Sequence, residues 1–133
     1  MSELHQVSDF MVRNPVCAFM WQPLSFIRQT MLVNSFSYLP VPVEKEGKTD
    51  WSLISDFRLA QCLRKNGKVV KEGLIQRLED AVKSGQLKLD SAKTCGPEDK
   101  IESVLPTSDG LPTLVVSPAN KERLGILTPF DLL

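Results

Sequence analysis

The chain has 133 residues, enough for one compact domain or two small repeats sharing a core. Its 42% hydrophobic and 24% charged residues are an ordinary globular balance. The 16 Lys plus Arg cancel the 16 Asp plus Glu, so no global field draws in nucleic acid or an anionic membrane, and aromatics at 7% offer no extended base-stacking surface.

The first residues, MSELHQVSDFMVRNP, carry acids and no long apolar run, so they do not read as a secretory signal. No later stretch is long enough to span a bilayer, and no membrane insertion is expected. After Pro23, the residues Leu24, Ile27 and Met31 fall on one helical face, with a break at Asn34-Ser35. LPVPV (Leu39 to Val43) and WSLIS (Trp51 to Ser55) read as strands around the polar turn EKEGKTD. A helix with Leu59, Ala60 and Leu63 inward should follow and close near Asn66-Gly67.

In residues 68–90, Leu74, Leu78 and Val82 recur every fourth residue. That spacing predicts one amphipathic helix ending at Ser84-Gly85, joining two halves or binding a partner. Past Pro97, the residues Ile101, Val104 and Leu105 share a helical face, followed by a break over 106–110. LPTLVV and RLGIL then read as strands around the turn SPANKE. Trp21 and Trp51 are expected to pack.

Three blocks recur in the same order at an offset of about 73 residues: QPLSFI over GPEDKI, YLPV over GLPT, and WSLISDFRL over LGILTPFDL. The duplication predicts a first repeat over 1–67, a linking helix over 68–90 and a second repeat over 91–133.

The motifs VSDFMVRNPV, SYLPVPV and RLGILTPFDLL resemble those of tandem CBS-domain pairs, also called Bateman modules. The resemblance implies an α/β (α+β) fold, with two pseudo-twofold related β-α-β-β-α repeats packed as one disc around the inserted helix. It implies a regulatory module that binds AMP, ADP, ATP or S-adenosylmethionine between its repeats. It further implies a homodimer that controls an attached or separate enzyme or transporter. The alternative is a ligand-free dimerisation or interaction module using the Leu74–Leu78–Val82 face.

The same resemblance assigns residues. Thr128 and Asp131 match the hydroxyl and the ribose-binding aspartate, with Ile126 lining the adenine side. A carboxylate can accept from both vicinal ribose hydroxyls, and a threonine hydroxyl can donate to phosphate or accept from ribose. Asn14, Cys17, Phe19, Phe36 and Ser37 would form the facing wall. In the first repeat Ser55 keeps the hydroxyl, but Arg58 stands at the aspartate position and Ser52 at the glycine. An arginine accepts no hydrogen bond, so that second site is expected to be degenerate. Taken without the resemblance, Thr128 with Asp131 reads either as local hydrogen bonding at a helix start or as a hydrogen-bonding site for a sugar.

Three spaced cysteines, Cys17, Cys62 and Cys95, read as reduced thiols in a cytoplasmic protein. A single histidine, His5, gives no basis for a zinc site. No nucleophile–base pair, metal-ligand cluster or phosphate-cradling glycine loop suggests an enzyme.

Overall fold

The computed structural model describes residues 5–13, 15–104, 111–119, 122–128 and 131. A 3-10 turn, Val7–Asp9, precedes β1 (Val12–Arg13). Next come α1 (Leu24–Asn34), β2 (Tyr38–Lys45), β3 (Lys48–Ser55) and α2 (Asp56–Leu63). Then follow β4 (Arg64–Lys65), β5 (Lys68–Val69), α3 (Lys71–Ile75), α4 (Leu78–Lys83) and β6 (Asp90–Ser91). The chain continues through β7 (Lys93–Cys95), α5 (Ile101–Val104), β8 (Thr113–Val116) and β9 (Arg123–Leu127). The fold is mixed α/β. It divides into two compact units: Val16–Ser91, and Met1–Pro15 together with Ala92–Leu133.

In the unit Val16–Ser91, Pro23 precedes α1 with the N-cap backbone extended, at φ −65°. Its missing N–H is no loss at a helix start. Leu24, Ile27 and Met31 are the buried face, as the spacing predicts. The helix stops where Ser35 turns left-handed, at φ 56°, and the Ser35 and Phe36 N–H groups both donate to the Met31 carbonyl. β2 and β3 then pair antiparallel from Tyr38↔Ser55 to Lys45↔Lys48. Their connection is Glu46-Gly47, both at positive φ, the turn whose twist matches a two-residue hairpin.

The prolines of β2 have a positional reason. β2 is an edge strand in the order β2-β3-β6, and the Pro40 carbonyl accepts from the Ala18 N–H at 2.9 Å on the outer side. In a strand one residue's N–H and C=O point the same way, and i, i+2 repeat that direction. The absent N–H groups of Pro40 and Pro42 therefore face the edge, where the ladder to β3 does not need them. Leu39, Val41 and Ile54 join Leu24, Ile27, Leu59 and Leu63 in one core cluster.

The single helix expected over 68–90 is not formed. β4 and β5 make a small hairpin, and the helical stretch is split at Gln76-Arg77 into α3 and α4. The physical reason is tertiary pairing. The Gln76 carbonyl accepts from the Leu24 N–H, the Leu78 N–H donates to Gln22, and the Glu79 N–H donates to Met20. Three inter-segment bonds replace the bonds a continuous helix would have made. The apolar period keeps its meaning: Leu78 and Ala81 are fully buried, and Leu74 and Val82 pack on the same cluster. Residues 68–90 lie inside the first unit, where β6 pairs with β3.

The other unit is a four-stranded sheet, β1-β9-β8-β7. β7 and β8 run parallel, while β8–β9 and β1–β9 are antiparallel. One face packs Val115 and Leu127 against Val7, Met11, Ile101 and Val104. Pro97 lies in the turn before α5, where the Gly96 N–H donates to Asp99 Oδ2 at 2.8 Å. Leu105 and the expected break at 106–110 lie outside the described residues.

The inward face of α4 gives a direct test. Leu78→Ala should lower stability by about 2–5 kcal/mol through loss of burial and a cavity. Ile75→Ala, at a side chain 75% exposed, should change it by less than about 0.5 kcal/mol. Chemical denaturation followed by tryptophan fluorescence measures both.

Candidate functional site

The site expected from the sequence grows out of β9. Gly125 stands opposite Arg13, and Ile126 stands opposite both Val12 and Leu114. A Cβ on Gly125 would lie 2.7 Å from Met11 Sδ and 2.8 Å from the Val12 carbonyl oxygen. The glycine of this motif is thus explained by how closely β1 approaches. Directly opposed residues share a sheet face. Val12, Leu114 and Ile126 therefore form an apolar face opposite the Val115–Leu127 core. Leu114 is buried there, Ile126 half-buried and Val12 exposed. Alternation puts Thr128, two residues on, toward the same side.

Thr128 and Asp131 are in direct contact. The Thr128 N–H donates to Asp131 Oδ2 at 2.8 Å, and the Thr128 hydroxyl donates to the same oxygen at 3.0 Å. The Asp131 N–H returns a bond to the Thr128 carbonyl at 3.0 Å. The Asp131 carboxylate thus accepts twice from Thr128, while the Asp131 N–H bonds to the Thr128 backbone carbonyl and not to its hydroxyl. This fixes what remains for a ligand. A hydroxyl has one proton, and Thr128 has committed it to Asp131. Thr128 can accept from a sugar hydroxyl, whereas donating to phosphate would break its contact with Asp131. Asp131 Oδ1 has no protein partner among the described residues.

The corresponding corner of the first unit is built differently. Ser55 is buried and caps α2 by accepting from the Arg58 N–H at 3.1 Å. The Asp56 N–H donates to the Ser37 carbonyl at 2.9 Å, so Ser37, Ser55 and Arg58 meet where β3 enters α2. The Ser37 carbonyl is thus already used. Phe36 is partly exposed at the end of α1. Cys17 is buried. The Phe19 N–H donates to the buried Gln22 side chain, and its ring stacks on Trp21 at 6.2 Å. Trp21, expected to pack inward, is 61% exposed, while Trp51 is buried.

The nominated residues therefore divide. Ile126, Thr128 and Asp131 belong to one unit; Cys17, Phe19, Phe36, Ser37, Ser55 and Arg58 belong to the other. Asn14 lies outside the described residues. Sequence reasoning missed Met11 and Val12 as the neighbours of Gly125, although a glycine inside a strand signals close backbone approach. Gln22 was missed too, and a lone polar residue before a helix gives no such signal.

Among the described residues no three His, Cys, Asp or Glu side chains gather to hold a metal, and no helix is long and apolar enough to cross a membrane. Burial and the neighbouring Asp99 charge push the Cys95 thiol from 9.0 up to about 11. Burial raises Cys62 as well. Neither is a ready thiolate near neutral pH.

No family model matches the chain, and no curated protein sequence does. Solved structures do. A CBS domain-containing protein of unknown function from Bacillus anthracis superposes with a TM-score of 0.74 at 18% identity, over 96% of this chain and 89% of its own. The CBS domain pair of protein MJ0100, in complex with 5'-methylthioadenosine and S-adenosyl-L-methionine, gives 0.65 at 18% identity, over 98% and 94%. CBSX2 in complex with AMP gives 0.67 at 17% identity, over 96% and 92%. The chain has the fold of a tandem CBS-domain pair. Within that CBS-pair fold, the second half carries both hydroxyl and carboxylate at the end of its last strand, and the first half carries a hydroxyl and an arginine.

Two outcomes check this corner of the CBS fold. Gly125→Ala should destabilise the protein by about 1–3 kcal/mol, because the added methyl meets backbone as well as a side chain; thermal melts read it. Cys95 should alkylate about a hundredfold more slowly in the native than in the unfolded protein at pH 8, since a pKa of about 11 in place of 9.0 cuts the thiolate fraction by that factor. Timed iodoacetamide labelling with peptide mass analysis measures the ratio.

Proposed function

We propose that this protein is a regulatory module that senses an adenosine-containing small molecule, of the class AMP, ADP, ATP or S-adenosylmethionine. Asp131 takes the ribose hydroxyls through its carboxylate, Thr128 accepts alongside it, and Ile126 lies under the base. The observation that carries the reading is the Thr128–Asp131 pair. Its internal bonds hold the carboxylate in place and leave Oδ1 and the threonine lone pairs as acceptors beside an apolar sheet face. A vicinal diol on a flat apolar ring system supplies the matching donors and surface. Adenosine ligands in two solved CBS pairs support the class.

The corner at Ser55 and Arg58 is proposed to bind no ribose. Its arginine offers only donors, and the serine oxygen already accepts from the Arg58 N–H. The module does no chemistry of its own in this reading. It reports ligand occupancy to an enzyme or transporter, and the ligand shifts the module only by binding its two arrangements unequally.

Thermal-shift titration with AMP, ADP, ATP and S-adenosylmethionine tests the proposal. The wild type should show a saturable shift with at least one of them. Asp131→Ala should weaken binding at least tenfold, which corresponds to about 1.4 kcal/mol, while Arg58→Ala should leave it unchanged. Asp131→Ala also removes the two hydrogen bonds from Thr128 to its carboxylate, costing about 0.5–3 kcal/mol without ligand. The reading therefore rests on the ligand-dependent part. No shift with any of the four at millimolar concentration would overturn it.

A further inference from the structure

A cleft of about 210 Å³ lies between α1 and α2, wholly within the unit Val16–Ser91. Among the described residues, none of those nominated for a nucleotide lines it. Its floor is apolar: Met31, Leu59 and Leu63, all of them core residues. Arg28, Asp56, Ala60 and Arg64 line it as well. The volume is below the roughly 300–1,000 Å³ of drug-sized pockets. It equals about seven molecules of liquid water at roughly 30 Å³ each, so the cleft suits a ligand of about seven heavy atoms.

Charge decides what kind of ligand. α1 ends and α2 begins at one corner, where the Asp56 N–H donates to the Ser37 carbonyl. Arg28 lies six residues back from the end of α1, and Arg64 is the extended residue that follows α2. Both arginines are therefore remote from Asp56 along the chain. Arg28 is half-buried, and among the described residues neither guanidinium has a carboxylate within ion-pair reach. Arg64 gives one N–H to the Gly67 carbonyl at 2.7 Å, which holds the group in place and leaves others of its five N–H to donate. From Phe57 to Lys71 the sequence has five basic residues and no acid, in a chain whose charges cancel. Lys65 and Lys68 stand directly opposite each other in the β4–β5 hairpin, where like charges destabilise. An anion relieves this arrangement. We propose that the cleft binds a small aliphatic carboxylate. Arg28 and Arg64 donate to the carboxylate, and the hydrocarbon lies on Met31, Leu59 and Leu63. A planar carboxylate matches the guanidinium fork. Inorganic phosphate has no apolar part to cover the floor. The inference is independent of whether a nucleotide binds.

An NMR titration of the full chain with pentanoate at fixed ionic strength, following methyl signals, tests it. The wild type should bind saturably in the millimolar range, with the Met31 methyl among the signals that move. Each methylene added between acetate and pentanoate should tighten binding roughly two- to fourfold. Pentanamide has the same shape without the charge and should bind roughly tenfold more weakly. Arg28→Gln and Arg64→Gln should each weaken pentanoate roughly tenfold. Ala60→Leu, which fills the cleft from an exposed position, should abolish binding. Arg64 and Ala60 are both exposed, so these two variants should melt as the wild type does. Asp131→Ala should bind pentanoate as the wild type does. No saturable binding, equal binding of pentanamide, phosphate that competes as well as pentanoate, or indifference to Arg64→Gln and Ala60→Leu would each overturn the proposal.

Discussion

The close approach of β1 to β9 is the constraint on which the unit containing Thr128 and Asp131 depends. It exists because one position on β9 has no side chain. Met11 and the Val12 carbonyl occupy the space a Cβ would need at Gly125. That contact brings Met11 into the cluster with Val7, Ile101, Val104, Val115 and Leu127. It also orders Val12 across from Ile126, which gives the opposite sheet face its apolar edge. The glycine thus acts on the candidate site at one remove. It seats the strand that borders the site, and the chemistry belongs to the residues that follow.

Both halves use one device to leave the second strand of a hairpin. A hydroxyl residue ends the strand and bonds to a group three residues on. In the first half Ser55 accepts from the Arg58 N–H. In the second, the Thr128 N–H and hydroxyl donate to the Asp131 side chain. The difference decides what each corner offers. Asp131 spends one oxygen on Thr128 and retains the other. Arg58 contributes its backbone to the cap, and its side chain can only donate. The local bonds and a ligand site are therefore compatible here: Thr128 orients the carboxylate that the ligand would use.

Much of the fold was legible in the sequence wherever local signals and tertiary demand agreed. α1 begins after Pro23 and ends at Asn34-Ser35, as its apolar spacing and breakers indicate. The β2–β3 and β8–β9 hairpins follow their β-rich runs. The helix over 68–90 failed because its period was real but its continuity was not. Leu24, Gln22 and Met20, remote in sequence, take the backbone bonds at Gln76, Leu78 and Glu79, and no local pattern announces such pairing. The motif ending in Asp131 was legible as residue types at a spacing. What could not be read was the direction of the Thr128 proton, which turns that residue from an ambivalent partner into an acceptor.

A strand early in the sequence is completed by one far along it. β1 spans Val12–Arg13 and its partner β9 spans Arg123–Leu127. The intervening unit Val16–Ser91 has its own core and hairpin, built from residues close in sequence. The leading strand has no such option. It must stay unpaired through the synthesis of more than a hundred residues, until Gly125 emerges to receive it. Closing a loop that long comes late and slowly.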